Sequence, residues 1–570
     1  MTTPIRRTSR LLAGLAVAAI AVALGVVTAA PAYAATFTVT NGASSGAGSL
    51  PQAITDANGS AGSTITIAPG LVIDMSGFSN PQVTASVTIE GDASNPPTII
   101  GPNSAPIFQV TGPPTGVDLE VDDVIMQAST TVTSGDAITT AGGPGTVTLT
   151  DDTFQNFPHP AVELLLQTGD LTVTDCTFTG NSATVADSDG GAIIVGSVND
   201  LTVTGSTFSN NTAGHNGGAI FLNAANSVNI SGSAFANNSA GIDGGAIGIS
   251  NFSGDSTWTG NTFTGNTSGA TGFIGGAAFE VDTIPAGVTL TIDQSTFSGN
   301  SSTSGVVPPR GGVGYVNDVE GTLLLSSSTM TGNSFSGTAI GNGLDVAVGI
   351  IGDTGEFDVL QSTLDETGAA TPLLFAGSNN NFLRLASSTF FGPGVLQVVS
   401  NSNAAANAVE ARDIIAISTD ATPAFQVAGT PAEIGYSITS DTAGPQLVGL
   451  LGMQFGVTDA GLGPLTNNGG PTQTRLPVAG SPAIDLGDPG FTVPATDQRG
   501  TGFARVVNGR VDIGAVEVQT SPALAATGVD SAPTAWMAST SLATGLLLLG
   551  ALLLTRRARR NTAKQAIARR

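Results

Sequence analysis

Leu-Thr-Val-Thr-Asp-Cys-Thr-Phe-Thr-Gly-Asn at residues 171–181 is followed by Leu-Thr-Val-Thr-Gly-Ser-Thr-Phe-Ser-Asn-Asn at 201–211. The phrase returns as Val-Asn-Ile-Ser-Gly-Ser-Ala-Phe-Ala-Asn-Asn at 228–238, Ser-Thr-Trp-Thr-Gly-Asn-Thr-Phe-Thr-Gly-Asn at 256–266 and Leu-Thr-Ile-Asp-Gln-Ser-Thr-Phe-Ser-Gly-Asn at 290–300. Weaker copies centre on Phe154, Met330, Leu364 and Phe390. The anchors Phe178, Phe208, Phe235, Phe263, Phe297 and Met330 lie 30, 27, 28, 34 and 33 residues apart. Each unit holds two or three period-two strands broken by Gly, Asn and Asp, with no room for a helix of ordinary length. A repeat of this length whose units cannot bury an apolar face alone must stack. The pattern predicts an all-β fold, a parallel β-helix with one repeat per turn and strands about 4.8 Å apart.

Stacking places like residues over like. The anchors form an internal apolar column. Asn181, Asn211, Asn238, Asn266, Asn300 and Asn333, each three residues beyond its anchor, predict an amide ladder at a corner. The Gly-Gly pairs at 190–191, 217–218, 244–245, 275–276 and 311–312 suit sharp bends with positive φ. From residue 64 to 440 the spacing predicts 12–15 turns and a rod on the order of 60–70 Å. Ahead of it, residues 35–63 read as an N-terminal cap. There Ser49 can cap a short helix, Pro51 suits its first turn, and Leu50, Ala53, Ile54 and Ala57 share a face.

The ends of the chain carry addresses. Arg6, Arg7 and Arg10 precede the apolar run 11–30, and Ala32-Tyr33-Ala34 closes a secretory signal, residues 1–34, with cleavage after Ala34. At the other end, residues 535–554 are apolar and long enough to span a bilayer as a transmembrane helix. Six arginines and Lys564 follow in the tail, which by the positive-inside tendency stays cytoplasmic. Leu524-Ala525-Ala526-Thr527-Gly528 lies just upstream, within the linker and anchor region 519–570. Motif, apolar stretch and basic tail resemble the cell-wall sorting signal of Gram-positive surface proteins. In that family a sortase cuts between Thr and Gly, here Thr527 and Gly528, and joins the Thr to peptidoglycan. Ala525 stands where the familiar motif has Pro, as in the Leu-Ala-x-Thr-Gly variants.

A second resemblance covers residues 36–518. Thr38-Val39-Thr40-Asn41 with Gly48-Ser49-Leu50-Pro51-Gln52-Ala53-Ile54 opens the body. Gly463-Pro464-Leu465-Thr466-Asn467-Asn468-Gly469-Gly470-Pro471, Gly480-Ser481-Pro482-Ala483-Ile484-Asp485, Thr496-Asp497-Gln498-Arg499-Gly500 and Val511-Asp512-Ile513-Gly514 close it. Together they resemble the choice-of-anchor Q group of surface-attached right-handed parallel β-helix proteins. The resemblance implies a C-terminal capping segment over 441–518 and carries no catalytic residues. Within that segment Asp485, Asp497, Arg499 and Asp512 are expected to form an ion cluster that closes the coil.

Charge excludes some functions. Three of the 17 basic residues lie in the signal and seven in the tail, leaving seven arginines against 41 acids and a net charge of −34 over 35–527. A body this acidic repels phosphate backbones, which argues against nucleic acid, and disfavours polyanionic glycans unless a cation such as Ca²⁺ mediates. The only cysteine, Cys176, falls in an alternating strand and reads as core. Lyase chemistry through lysine is excluded, since the only lysine is in the tail; chemistry through arginine is poorly supported, with Arg310 in a Pro-Pro-Arg-Gly-Gly turn.

One constellation bears chemistry. Asp189, Asn216 and Asp243 each precede a Gly-Gly pair at 27-residue spacing, and His215 adjoins Asn216. They read either as a Ca²⁺ or sugar-binding row, or an acid pair helped by His215, or as turn-forming residues before glycine. The turn reading is preferred. Asp122-Asp123 and Asp151-Asp152 read as exposed turn charges, and His159, between prolines, as a loop residue. The sequence therefore predicts an exported, wall-anchored β-helix that contacts surface or host glycans without catalysis. A glycoside hydrolase or lyase on the same face is the alternative.

Overall fold

A computed structural model describes residues 34–519 apart from internal stretches, the longest being 305–311, 338–347, 367–373, 400–407 and 443–450. The repeats coil into a parallel β-solenoid. A fifteen-stranded sheet (sheet 1) and a fourteen-stranded one (sheet 2) run its length, joined by a twelve-stranded sheet (sheet 3) and a six-stranded sheet (sheet 4). Neighbours in sheet 1 are successive turns, for example Leu171–Thr174, Asp200–Thr204 and Ser227–Ser231 in exact repeat register. At about 4.8 Å per strand, sheet 1 extends about 65–70 Å. Its first strands, Thr36–Val39 and Ser63–Ile67, carry the only helix among the described residues, Leu50–Ala57. Ser49 accepts the Gln52 N–H at 3.3 Å, and Leu50, Ala53, Ile54 and Ala57 are buried. No described helix is long and apolar enough to cross a membrane. The signal residues 1–33, the sorting motif 524–528 and the apolar run 535–554 lie outside the described residues.

Two interactions hold the turns together. The phenyl rings of Phe154, Phe178, Phe208, Phe235, Phe263 and Phe297 stack with centroids 4.5–4.9 Å apart and planes within 6°. Beside them runs the asparagine ladder. Asn211 Oδ1 accepts both the backbone N–H and the Nδ2–H of Asn181, and Asn238, Asn266, Asn300 and Asn333 continue it at 2.9–3.1 Å. Each Nδ2 also donates to the carbonyl of the anchor residue one turn back, as Asn238 does to Phe208. These amides are buried, so a sharp corner has no unpaired backbone N–H.

The chain forms a second ladder at the corner between sheets 1 and 2. Cys176 N donates to Ser206 Oγ, Ser206 N to Ser233 Oγ, Ser233 N to Asn261 Oδ1, and the series continues through Ser295, Ser328, Ser362 and Ser388. Cys176 thus occupies a ladder position; burial and the neighbouring Asp152 raise its thiol's affinity for its proton. Asp152 stands one turn earlier and is itself fully buried, its Oδ1 accepting from Val124 N at 2.9 Å. Asp122 is also buried. The reading of these two as exposed turn charges is therefore corrected: sequence spacing shows a turn, not which side of it faces the core.

The Gly-Gly pairs divide their work. Gly190, Gly217 and Gly244 have φ between 61° and 66°, the left-handed region. Gly191, Gly218 and Gly245 instead sit where a Cβ would meet backbone atoms at 2.1–2.7 Å, because the sheet 4 strand passes against them.

The C-terminal segment does more than close the coil. It lies along the outer face of sheet 2. Thr472 Oγ1 donates to Ser327 O, Gln498 Nε2 to Ser328 O, Arg475 pairs with Asp365 at 2.7 Å and Arg412 with Asp488 at 2.8 Å. Ile415, Ile417 and Ile438 of sheet 2 pack with Ala460, Ala483 and Ile513 in a second apolar core. Asp497 and Arg499 form a buried ion pair at 2.6 Å, and Arg499 also donates to Glu517 O. Asp512 accepts from Asp485 N and Val518 N; Asp485, Asp512 and Glu517 gather within 4.8 Å of one another.

Asn238→Ala strips two donors of Asn211 of their acceptor and removes the amide donor to Phe208 O. We expect it to cost about 3–5 kcal/mol, several times the effect of Thr207→Val on the outer face, in urea unfolding.

Stability should also fall as pH rises. Burial raises Asp136 to about 8, Asp358, Glu366 and Glu517 to about 7 and Asp413 to about 6. A carboxyl held above its unfolded value binds its proton more readily when folded. Its stabilising contribution is full near pH 4 and lost as pH climbs through 6–8. Thermal unfolding is expected to give a higher Tm at pH 5.5 than at pH 8.5; the opposite order would contradict the burial of these acids.

Candidate functional site on the outer face of sheet 3

Asp189, Asn216 and Asp243 form a row along one edge of sheet 3. Asp189 Oδ1 accepts the backbone N–H of Asn216 at 2.9 Å, Asn216 Oδ1 that of Asp243 at 3.2 Å, and Asp243 Oδ1 that of Gly275 at 2.6 Å. Each side chain therefore shapes the turn one repeat on, the role that Asp and Asn play before glycine. His215 Nδ1 meets the same Asp189 oxygen at 2.9 Å, with the histidine side chain 34% exposed. That leaves its Nε2 edge toward the solvent side.

Next to this row, the outward column of sheet 3 runs Glu163, Ile194, Phe221, Gly248, Glu280, Tyr315. Phe221 is half-buried, and a Cβ on Gly248 would stand 3.2 Å from its ring, so the glycine makes room for the phenyl group. Tyr315 packs over Gly275 and donates to Asn317 Oδ1 at 2.8 Å. Glu280 is nearly fully buried although it points outward. Burial, and then the charges of Asp282 and Asp243, hold its carboxyl well above the usual range, with Asp189 adding to the effect. At the far end, burial and the adjacent Glu163 lift Asp136 to about 8. No strand of sheet 3 carries Lys or Arg.

The strip thus sets an aromatic platform between carboxyl groups, and burial raises the proton affinity of Glu280 and Asp136. It can stack on the apolar face of a sugar ring and both donate and accept hydrogen bonds. Phe221, Glu280, Asp282 and Tyr315 were not singled out by sequence. Phe221 and Glu280 do align at one repeat position, but no residue type recurs in that column, so repetition gives no signal there. Asp189, Asn216 and Asp243 each commit Oδ1 to a backbone N–H of the next turn. Arg310 lies outside the described residues.

Residues 112–345 match the family model for a right handed beta helix region. The match covers less than half of the chain and includes the Phe stack, the asparagine ladder and most of the sheet 3 strip. No curated relative matches the chain.

If the row is turn-forming, Asp243→Asn should leave thermal stability unchanged, since Asn216 already does the same work with an amide. Asp243→Ala should lower stability by about 1 kcal/mol. A large loss with Asn in differential scanning calorimetry would show that the charge, not the acceptor, is needed.

Proposed function

We propose that the chain is an exported, wall-anchored β-solenoid that binds neutral glycan along the outer face of sheet 3. The observation that carries this reading is Phe221, half-exposed beside Gly248 in a column shared with Glu280 and Tyr315 and edged by Asp189 and Asp243. An apolar ring face with hydrogen-bonding groups on both sides suits a pyranose, and the absence of cations from the strands disfavours uronates. The basic-apolar-Ala-x-Ala start supports export. The Leu524–Gly528 motif, apolar run and basic tail support attachment by a sortase through Thr527, with residues 535–554 holding the chain in the membrane before cleavage. In this reading the Leu50–Ala57 helix caps the first turn, and the body belongs with surface-displayed β-helix proteins of the choice-of-anchor Q type.

A second reading, glycoside hydrolysis, is favoured by Glu280 alone. A carboxyl whose proton affinity is raised by burial beside a second carboxylate suits a general acid, with Asp243 or the His215–Asp189 pair activating water.

A neutral-glycan array is expected to show binding that Phe221→Ala lowers at least tenfold, with unchanged Tm. Reducing-end assays on whatever binds distinguish the readings: no release supports adhesion, and release abolished by Glu280→Gln supports hydrolysis. Mass spectrometry of the wall fraction should find a peptide ending at Thr527 joined to peptidoglycan; intact chain through Arg570 confined to membranes would refute sortase attachment.

A further inference from the structure

The outer column of sheet 2 is a line of hydroxyls broken once, at Ala234: Thr153, Thr177, Thr207, then Thr262, Thr296, Thr329, Thr363 and Thr389. Its later part is covered. Thr329 Oγ1 donates to Gln473 O, Thr363 Oγ1 donates to Gln498 Oε1 at 2.6 Å, and Thr389 Oγ1 accepts from Ala515 N at 3.1 Å. The column therefore already recognises irregular polypeptide, giving hydrogen bonds to carbonyls and taking them from amides as the bound segment requires. From Thr153 to Thr296 the same column continues, and among the described residues it takes no hydrogen bond from the C-terminal segment. Thr207 and Thr262 are exposed and Thr153, Thr177 and Thr296 partly so. The neighbouring outer positions are Gln155, Thr179, Ser209, Ala236, Thr264 and Ser298, all uncharged in a strongly acidic protein.

We infer that the stretch from Thr153 to Thr296 is a docking surface for an extended, uncharged polypeptide segment of a partner protein, read by the same hydroxyl column that holds the chain's own C-terminal segment. Three features carry this. The surface is continuous with an interface of that kind. It is neutral, so an acidic or basic partner gains nothing there while an uncharged one meets no repulsion. Its donors are mounted on paired strands, which order the surface before binding and lower the entropic cost.

The probe is a labelled peptide with the sequence of residues 463–474, which is uncharged and contains the Gln473 carbonyl that Thr329 holds, titrated in fluorescence anisotropy against the full-length protein. Saturable binding is expected. Thr177→Val, Thr207→Val and Thr262→Val together, near-isosteric and favourable in strands, should weaken it at least fivefold with Tm unchanged. Thr148→Val, Thr172→Val and Thr202→Val on the outer face of sheet 1 should leave it intact. Equal binding to the sheet 2 variant, or no saturable binding at millimolar protein, would overturn the proposal. So would a linear neutral oligosaccharide whose binding is lost in that variant when the peptide's is not. Glycan binding on sheet 3 is a separate face, and its outcome does not bear on this one.

Discussion

A buried backbone N–H at a corner must find an acceptor, and in this solenoid the acceptor comes from the next turn. Asn181 through Asn333 supply it on one corner and Ser206 through Ser388 on another. Each turn is thereby completed by its neighbour, which makes stability a sum of nearest-neighbour terms and leaves no turn self-sufficient. The ladder must also end. It ends on Glu366, whose two carboxylate oxygens take the N–H and Nδ2–H of Asn333 at 2.8 and 2.6 Å. Among the described residues, Ser334–Gly337 is the last strand of sheet 4. From Thr329 onward the C-terminal segment covers sheet 2. The coil thus takes on an added outer layer close to where the amide column runs out.

What could be read from sequence follows from this. The Phe and Asn columns were visible because the same residue type is reused at every turn. The second ladder was hidden because Asp, Cys, Ser and Asn share its column: any small side chain with a suitably placed polar atom can answer that N–H, so composition does not repeat although geometry does. The docking of the C-terminal segment depends on pairs such as Thr363 and Gln498, 135 residues apart, for which local pattern gives no register. One signal was present. Ile415-Ala416-Ile417 is apolar on both faces, as a strand buried on both sides must be. The sheet 3 strip was least legible, since Glu280 is buried by what lies over it and nothing in its own strand announces that.

The distribution of cations completes the picture. Of seven arginines in residues 35–527, six lie beyond residue 380. Arg412 and Arg475 pair with acids across the seam between coil and C-terminal segment, Arg499 closes on Asp497, and the fully buried Arg505 donates to the carbonyls of Asp512 and Gly514. Positive charge is thus concentrated where an irregular segment has to be fixed to a regular surface. The turns from Cys176 to Asn300 carry no Lys or Arg, and amide and hydroxyl ladders join them without charge. The consequence is electrostatic: with no cation among the described strands of sheet 3, Asp282 and Asp243 add to burial in raising the proton affinity of Glu280, and the outer column of sheet 2 from Thr153 to Thr296 stays neutral. The same economy of structure that lets uncharged columns build the coil leaves two chemically distinct surfaces on it, one acidic and aromatic, the other a neutral array of hydroxyls.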